Sequence, residues 1–523
     1  MSTRRLEKDF DLALAVVDRT NLPSTIEAAL ASAQGGRPRR LPVRTLLAAL
    51  LIAPSPRYAN ACLTTVHAIL ARDLNASYRR RHHLTWGPAT SEQTITLRQV
   101  RYLFSQIVKT LDFSPTTGPT NDVDREAREA ATIDHLNQLL RASLPAGLPA
   151  ADMVAIDATG LATWANANSG KNLDPDARWG HKTATAANGT DQVYGYQINT
   201  AATTYAPGSA YQSLKAVIGF DIAPANSDLA PSTLALLDHH LRPHHPRADI
   251  VVDRGYSQWN AERWAYPLAE RGIAQHHDLK KDELTTAHDT PLTPTTHAAT
   301  GVVMFAGWPY VPWTPRELFN IQRPATFNQK PLRPKATPAE RVRHARLAEQ
   351  IAAFHAQIAA LEPYALVPNG RRKANGSQRF FTRTTGKQRA TAHQLRAKVA
   401  TQETVTLTKE VLGKHYQPHR WGTPEWIAAY KRRAAVEGVF GILKSRHGQG
   451  MTHGWIRVTG ITATALMAAA ALVSYNLQIT RVWATKNDTD LETLYLAPAV
   501  PEPVAPGLDP ATELQHPGAP PAA

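Results

Sequence analysis

The stretch that decides how this chain is interpreted is Tyr430-Lys-Arg-Arg-Ala-Ala-Val-Glu-Gly-Val-Phe-Gly-Ile-Leu-Lys444. Its pattern predicts one amphipathic helix, in which each residue advances about 100° around the axis. Four polar side chains then share a wedge of about 60°: Tyr430, Arg433, Glu437 and Lys444. Such a wedge suits a metal ion that holds a phosphodiester, and two glycines beside it, Gly438 and Gly441, leave room for a ligand. The alternative is the solvated face of an ordinary helix.

Two further carboxylates stand where apolar strands are predicted to end. Met153-Val-Ala-Ile-Asp157 runs into the turn-forming Ala-Thr-Gly160, and Asp249-Ile-Val-Val-Asp253 runs into Arg-Gly-Tyr256. Continuous runs of Val and Ile predict strands buried on both faces, whose carboxyl ends are where α/β folds bind ligands. Each Asp could instead cap a turn. Together with Glu437, the two Asp side chains could converge on Mg²⁺ or Mn²⁺, because oxygen ligands select these ions over zinc.

These motifs resemble the bacterial insertion-sequence transposases of the DDE class. The match is to the subgroup with a Tyr-x2-Arg-x3-Glu-x6-Lys signature, which Tyr430, Arg433, Glu437 and Lys444 fit at every position. The runs around Asp157 and Asp253 look like the two aspartate motifs of the family. Lys182, Gly195-Tyr-Gln-Ile198 and Pro224–Asp228 also follow its pattern. The resemblance covers roughly residues 150 to 282 and 421 to 480.

The resemblance implies an α/β protein with a ribonuclease H-like core, a mixed five-stranded sheet flanked by helices. It also implies DNA cleavage at transposon ends and strand transfer to target DNA. Three catalytic carboxylates are expected to hold two Mg²⁺ or Mn²⁺ ions: Asp157, Asp253 and Glu437. Contacts to DNA are expected from Tyr430, Arg433, Lys444, Arg254 and Lys182. The expected partners are double-stranded DNA with terminal inverted repeats, target DNA and a second copy of the chain in a synaptic homodimer.

Composition fits a nucleic-acid partner. The 523 residues carry a formal charge of +15, with a pI of about 9.8, and such an excess favours a polyanion. A membrane surface is the alternative, but no basic amphipathic anchor is evident. The lone cysteine, Cys62, excludes intrachain disulfides, and the first ten residues lack the apolar core of a signal peptide, so we expect a cytoplasmic protein. Residues 461–479 are apolar, but polar side chains interrupt them, which favours a packed helix over a membrane span.

Breaks in the pattern divide the chain into six parts. We predict a helical N-terminal domain for DNA-end binding (1–115), a linker with a lead-in helix (116–150), the first part of the core (151–283), an insertion subdomain (284–420), the second part of the core (421–482) and a disordered Pro/Ala-rich tail (483–523). The insertion is inferred because 184 residues separate Asp253 from Glu437, far more than a compact core needs.

Several other clusters have two interpretations each. Arg79–His83 could recognise transposon ends or be a solvated loop, and the basic and aromatic residues of 371–383 could grip DNA or form a plain basic hairpin. The insertion's Trp308 and Trp313 receive no role. The histidines of 239–245 favour a helix end over a metal site, whereas His276-His277-Asp278 could support the second aspartate. The absence of a Gly-rich phosphate loop or nucleophile elbow argues against an ATPase or a serine hydrolase.

Two other functions remain open on the sequence. One is a catalytically decayed, transposase-derived DNA-binding protein, which a metal-dependent cleavage assay would distinguish. The other is a structural or regulatory protein whose basic face meets RNA, such as a ribonuclease H-like nuclease without joining activity, which would give no joined products from pre-cut ends and a target plasmid.

Overall fold

A computed structural model describes residues 3–32, 39–88, 91–167, 174–181, 192–279, 295–327, 329–382 and 398–496. Lys182, Arg383 and the predicted tail from Ala497 onward lie outside the described residues. The described chain is a mixed α/β protein. Along the sequence, a group of helices is followed by a central sheet, then by a segment with two small sheets, and finally by the last helices.

Helices and one short hairpin precede the central sheet. They are α1 (Thr3–Asp18), α2 (Leu22–Ser32), α3 (Val43–Ile52), α4 (Leu63–Ala68) with a π-helical turn (Ile69–Asp73), α5 (Ala76–Arg81), β1 (Thr85–Trp86), β2 (Gln93–Thr94), α6 (Leu97–Leu111) and α7 (Asp122–Ala142). Local sequence explains where the last two begin. Thr96 and Gln99 form a reciprocal capping box at α6, and the Asn121 side chain caps α7.

The central sheet contains β3 (Met153–Ala162), β4 (Arg178–His181), β5 (Gln192–Thr204), β6 (Val217–Pro224), β7 (Asp249–Val252) and β8 (Gln275–His276). The main order is β6-β5-β3-β7-β8, and the short β4 pairs with the start of β5. Strands β3, β5 and β6 are antiparallel, whereas β7 and β8 run parallel to β3. Helix α8 (Leu229–Leu236), continued by a π-helical turn (Leu237–Leu241), leads from β6 to β7, and α9 (Ala265–Glu270) leads from β7 to β8.

The predicted turn after Asp157 is wrong, because β3 continues to Ala162. Strand β5 pairs with β3 along its whole length, from Met153 opposite Thr204 to Ala162 opposite Gly195. Pairing with β7 ends earlier, at Ile156 opposite Val252. Asp157 therefore lies inside one strand but at the carboxyl edge of the parallel pair, which local sequence alone could not distinguish.

The segment between the sheet and the last helices packs around a second hydrophobic core, to which Leu279, Trp421, Trp426 and Ile427 from its two flanks also belong. It contains two small antiparallel sheets, β9 (Thr295–His297) with β10 (Val302–Phe305) and β11 (Trp308–Tyr310), and β12 (Val367–Pro368) with β13 (Gln378–Phe381) and β14 (Thr404–Leu407). Its helices are α10 (Pro338–Ala360), α11 (Lys398–Thr401) and α12 (Lys409–Leu412). Trp308 is buried there with its indole N–H donating to the Leu366 carbonyl, and Trp313 packs on the same core.

The last helices are α13 (Pro424–Lys431), α14 (Ala434–Lys444), α15 (Ile461–Lys486) and α16 (Leu491–Leu496). Helix α15 packs against α3, α6, α7 and β6, so the N-terminal helices and the sheet share one core. It is long and apolar enough to span a membrane, but 89% of its apolar window is buried in the protein, which is typical of a central core helix.

Two sequence predictions fail in this region. The single helix over 430–444 is interrupted, because the backbone N–H groups of Arg432 and Arg433 donate three residues back, to Ala429 and Tyr430, and α14 starts afresh at Ala434. The predicted disordered tail does not begin at residue 483. Helix α16 folds back there, and the buried Tyr495 hydroxyl donates to the Ser143 carbonyl at 2.8 Å.

Candidate active site

Three carboxylates from three separate elements meet around the guanidinium of Arg433. Its Nη1 atom lies 3.7 Å from Asp157 Oδ2 and 3.8 Å from Asp253 Oδ1. Its Nη2 atom pairs with Glu437 Oε1. The structure thus brings together the three acids that the sequence places far apart, and we call Asp157, Asp253 and Glu437 the acidic trio.

Strand register and helix packing place the trio. Ile156 and Val252 are paired neighbours in the parallel part of the sheet, so the residues that follow them, Asp157 and Asp253, stand side by side at its edge. Helix α14 lies across β3 and β5. It buries Val436, Val439 and Leu443 on one side, which leaves Glu437 on the side that faces the two aspartates.

The electrostatics of the trio follow from its crowding. The pKa of Asp157 is raised to about 6, mainly by burial and in addition by the carboxylates of Asp253 and Glu437. The Ala158 N–H, which donates to Asp157 Oδ1 at 2.8 Å, and the Arg433 cation act in the opposite direction. Burial also disfavours the Arg433 cation, yet its pKa is raised because Tyr430 and the trio favour the charged form.

The site is open on the side of α14. Side-chain exposure rises from 21% for Asp157 to 44% for Asp253 and 53% for Glu437. Beside Glu437, a Cβ atom on Gly441 would meet nothing within 4 Å, and one on Gly438 would meet only Lys215 Nζ, at 3.9 Å. A ligand can therefore approach this part of the helix backbone closely.

The other signature side chains lie at different distances from the trio. The Tyr430 ring stacks on Trp426 with centroids 5.1 Å apart and lies beside Arg433, and burial raises the pKa of its hydroxyl to about 12. Lys444 lies about 10 Å along the helix from Glu437, where its Nζ donates to Thr159 Oγ1. Arg254 is exposed directly after Asp253.

Sequence reasoning missed the residue that anchors this region. Arg432, next to the signature arginine, pairs with both oxygens of Asp152 at 2.6 and 2.7 Å and donates to Thr204 Oγ1 at 2.6 Å. These bonds tie the turn between α13 and α14 to the start of β3. The adjacent arginine pair was the only signal, and nothing local separates their roles.

The histidine clusters take other positions. His276 lies 3.7 Å from Asp249, at the opposite end of β7 from Asp253, and His277 is fully buried, which lowers its pKa well below the usual range. Asp278 pairs with Arg323 and accepts a hydrogen bond from Trp421 at 3.2 Å. In the other cluster, His245 Nδ1 accepts the Ala151 N–H at 2.9 Å. These contacts are structural.

The two basic clusters are partly engaged in local contacts. Arg80 pairs with Glu92 at 2.7 Å, and Arg79 donates to the Leu74 carbonyl. In the insertion, Phe380 belongs to the core while Phe381 is 45% exposed, so only alternate side chains of β13 are available to a ligand.

The donor set suits a hard divalent cation. Asp157, Asp253 and Glu437 offer only oxygen ligands, and they already surround a cation. That cation is the Arg433 guanidinium, and within the described ranges no group of His, Cys, Asp and Glu stands arranged as a ready metal site. A metal ion would therefore need the guanidinium to move aside.

Comparison of the chain with protein-family models, with curated proteins and with solved structures finds no match.

Proposed function

We propose that this chain is a DDE-class transposase, which cleaves DNA at transposon ends and joins the cut strand to target DNA. The observation that carries the proposal is the convergence of Asp157, Asp253 and Glu437 on one cationic position. Three acids gathered at one position repel one another, and the single charge of Arg433 compensates only part of their negative charge, so a structural role alone explains them poorly.

The architecture supports the same proposal. Three antiparallel strands followed by two parallel ones, in the order β6-β5-β3-β7-β8 and flanked by helices, fit the ribonuclease H-like core that the resemblance implies. The acids lie on β3, directly after β7, and on a helix that crosses the sheet. The insertion stands between the second acid and that helix.

The acidic trio would hold Mg²⁺ or Mn²⁺, which in pairs activate an attacking oxygen and stabilise a departing one. The chain's own side chains do the rest. Arg433 and Lys444 hold phosphates through charge-assisted hydrogen bonds, with Arg254 and Lys182 as further candidates. The Tyr430 hydroxyl, protonated at neutral pH with its pKa of about 12, donates to a phosphate oxygen.

The same proposal sets the partners and the place of action. The DNA is double-stranded and carries terminal inverted repeats, and a homodimer assembles around the paired ends. The protein acts in the bacterial cytoplasm, on the nucleoid when bound to DNA. The net charge of +15 favours association with DNA at low salt.

The test is cleavage of a linear DNA fragment that spans the flanks of the gene, where the inverted repeats should lie. We expect D157N, D253N and E437Q each to reduce Mn²⁺-dependent cleavage by about a thousandfold or more, with DNA binding retained. The matched control is D124N, which makes the same charge change at an exposed aspartate in the first turn of α7. Wild-type cleavage by any trio variant would remove that residue from the site.

Two arms of this assay address the alternatives. A decayed DNA-binding protein would bind the fragment without cutting it. A nuclease without joining activity would cut it, but would give no joined products from pre-cut ends and a target plasmid.

A further inference from the structure

A cleft of about 500 Å³ lies between the sheet and the insertion. We call it the rear cleft, and define it by Arg247, Gln275, Arg371, Arg372, Gln378 and Tyr416. One wall comes from the segments that enter β7 and β8, and the other from the hairpin between β12 and β13. The rear cleft is thus a junction between two parts of the chain.

The rear cleft faces away from the acidic trio. Asp249, which also lines it, opens β7, whereas Asp253 follows the last residue of the same strand. Four residues of strand span about 13 Å, so a ligand in the rear cleft would not contact the trio. Any binding there is a property separate from the proposed catalysis.

Arg372 gives the rear cleft an uncompensated charge. Its Nε donates to the Gly376 carbonyl at 2.8 Å, and its guanidinium lies 5.3 Å from the centre of the Tyr416 ring. Burial lowers its pKa. In the described part of the chain no carboxylate pairs with it, whereas other part-buried arginines do have such partners, namely Arg271, Arg323, Arg420 and Arg432.

The surroundings of Arg372 add positive charge. Arg247 and Arg371 are exposed at the two walls, and Asp249 is the acid among the lining residues. A part-buried guanidinium without a counter-ion is unfavourable. Three arginines facing one acid therefore suit an anion from outside the chain.

The hairpin between β12 and β13, which carries Arg371 and Arg372, is already ordered without a ligand. Its turn is closed by hydrogen bonds from Gly376 N–H to the Lys373 carbonyl and from Lys373 N–H to the Ser377 carbonyl. Gly376 has a φ of +76°, and a Cβ atom there would come within 3.0 Å of Lys409 and 3.3 Å of Ala269. This close contact fixes the hairpin on α9 and α12, so ordering it costs a ligand little.

We propose that the rear cleft binds a phosphate group, held by Arg247 from the sheet side and by Arg371 and Arg372 from the insertion. Guanidinium groups present forked donors that match phosphate oxygens. The phosphate belongs either to a DNA backbone that passes over the rear cleft or to a free compound such as pyrophosphate. Both sources share one chemistry, and binding does not depend on the activity of the trio.

The test is a double-mutant cycle on the intact chain with R247Q, R371Q and the double variant. Sodium pyrophosphate binding is measured by calorimetry, and binding of a 20-base-pair duplex is measured at several salt concentrations. For whichever of the two probes binds in the rear cleft, we expect each single variant to weaken the affinity for that probe about tenfold. The double variant should lose clearly less than the product of the two, because both residues act on one ligand.

The two probes separate the sources. Pyrophosphate binding with this coupling assigns a free phosphate. Duplex binding whose salt slope falls by about 1 for each variant, without pyrophosphate binding, assigns the DNA backbone. The matched control is R333Q, an exposed arginine of the insertion outside the rear cleft. The proposal is overturned if the single variants bind both probes like the wild type, if their losses multiply without coupling, or if R333Q loses as much.

Discussion

The Arg433 guanidinium lies 3.7 Å from the Asp157 carboxylate, at the point where a helix crosses the edge of the parallel strands. The same guanidinium reaches Asp253 and Glu437. The chain thus supplies its own counter-charge to three acids that repel one another. In the proposed function the Arg433 side chain pairs with the acidic trio in the DNA-free protein and with a DNA phosphate when DNA is bound.

Arg433 should compete with metal ions in the DNA-free protein. Replacing it by Gln removes a positive charge beside the carboxylates, so we expect R433Q to bind Mn²⁺ about tenfold more tightly than the wild type. The measurement is Mn²⁺ binding by electron paramagnetic resonance without DNA. K431Q, which makes the same charge change at an exposed lysine, should leave the affinity unchanged. Equal or weaker binding by R433Q would show that the arginine does not compete.

Stability should depend on the protonation of Asp157. Its pKa is raised by burial from 3.8 to about 6, so the folded protein binds more protons than the unfolded chain between these values. The stabilisation is therefore fully present below pH 3.8 and is lost as the pH rises through about 6, by about 3 kcal/mol at most. Urea unfolding in EDTA from pH 4 to 7 measures it. The D157N profile should lack this step, and identical profiles would contradict the assignment.

The Arg432–Asp152 pair should stabilise the turn before α14. We expect R432A to lower the free energy of unfolding by about 1 to 2 kcal/mol, because it removes bidentate bonds to a largely exposed partner. R432K should recover part of this loss. Urea unfolding checks both values, and an R432A protein as stable as the wild type would show that the turn holds without this anchor.

Two substitutions of Tyr430 should distinguish the packing of its ring from the contact of its hydroxyl with a phosphate. Y430F keeps the ring on Trp426 and should unfold within about 0.5 kcal/mol of the wild type while binding DNA more weakly, since only the hydroxyl is lost. Y430A leaves a cavity and should lose about 3 kcal/mol. Unfolding and DNA titration are measured on both variants. Unchanged DNA affinity in Y430F would remove the hydroxyl from the interface.

Local sequence predicted where the strands before Asp157 and Asp253 begin, because continuous apolar runs specify buried strands whatever lies elsewhere. It could not predict the break between α13 and α14, where Arg432 reaches Asp152 across the fold. Helix α16 was missed for a similar reason, since Tyr495 is buried by a contact with Ser143. Long-range pairing leaves no periodic signal.

The position of Arg433 also lay beyond sequence reasoning. The helical wedge placed it near Glu437 but gave no distance to either aspartate. The wedge also grouped Lys444 with the trio, whereas its amine reaches Thr159 instead. Which residues of another element a side chain reaches depends on how the two elements pack. For α14, the buried side of the helix determines this packing.

The most direct test of the account is Mn²⁺ binding to the wild type, D157N, D253N, E437Q and the D124N control, in the presence of DNA from the gene's flanks. If the three acids form one cation site, each trio variant should lose at least about tenfold in affinity while D124N keeps the wild-type value. Wild-type affinity in two of the three trio variants would show that the acids do not share a metal ion.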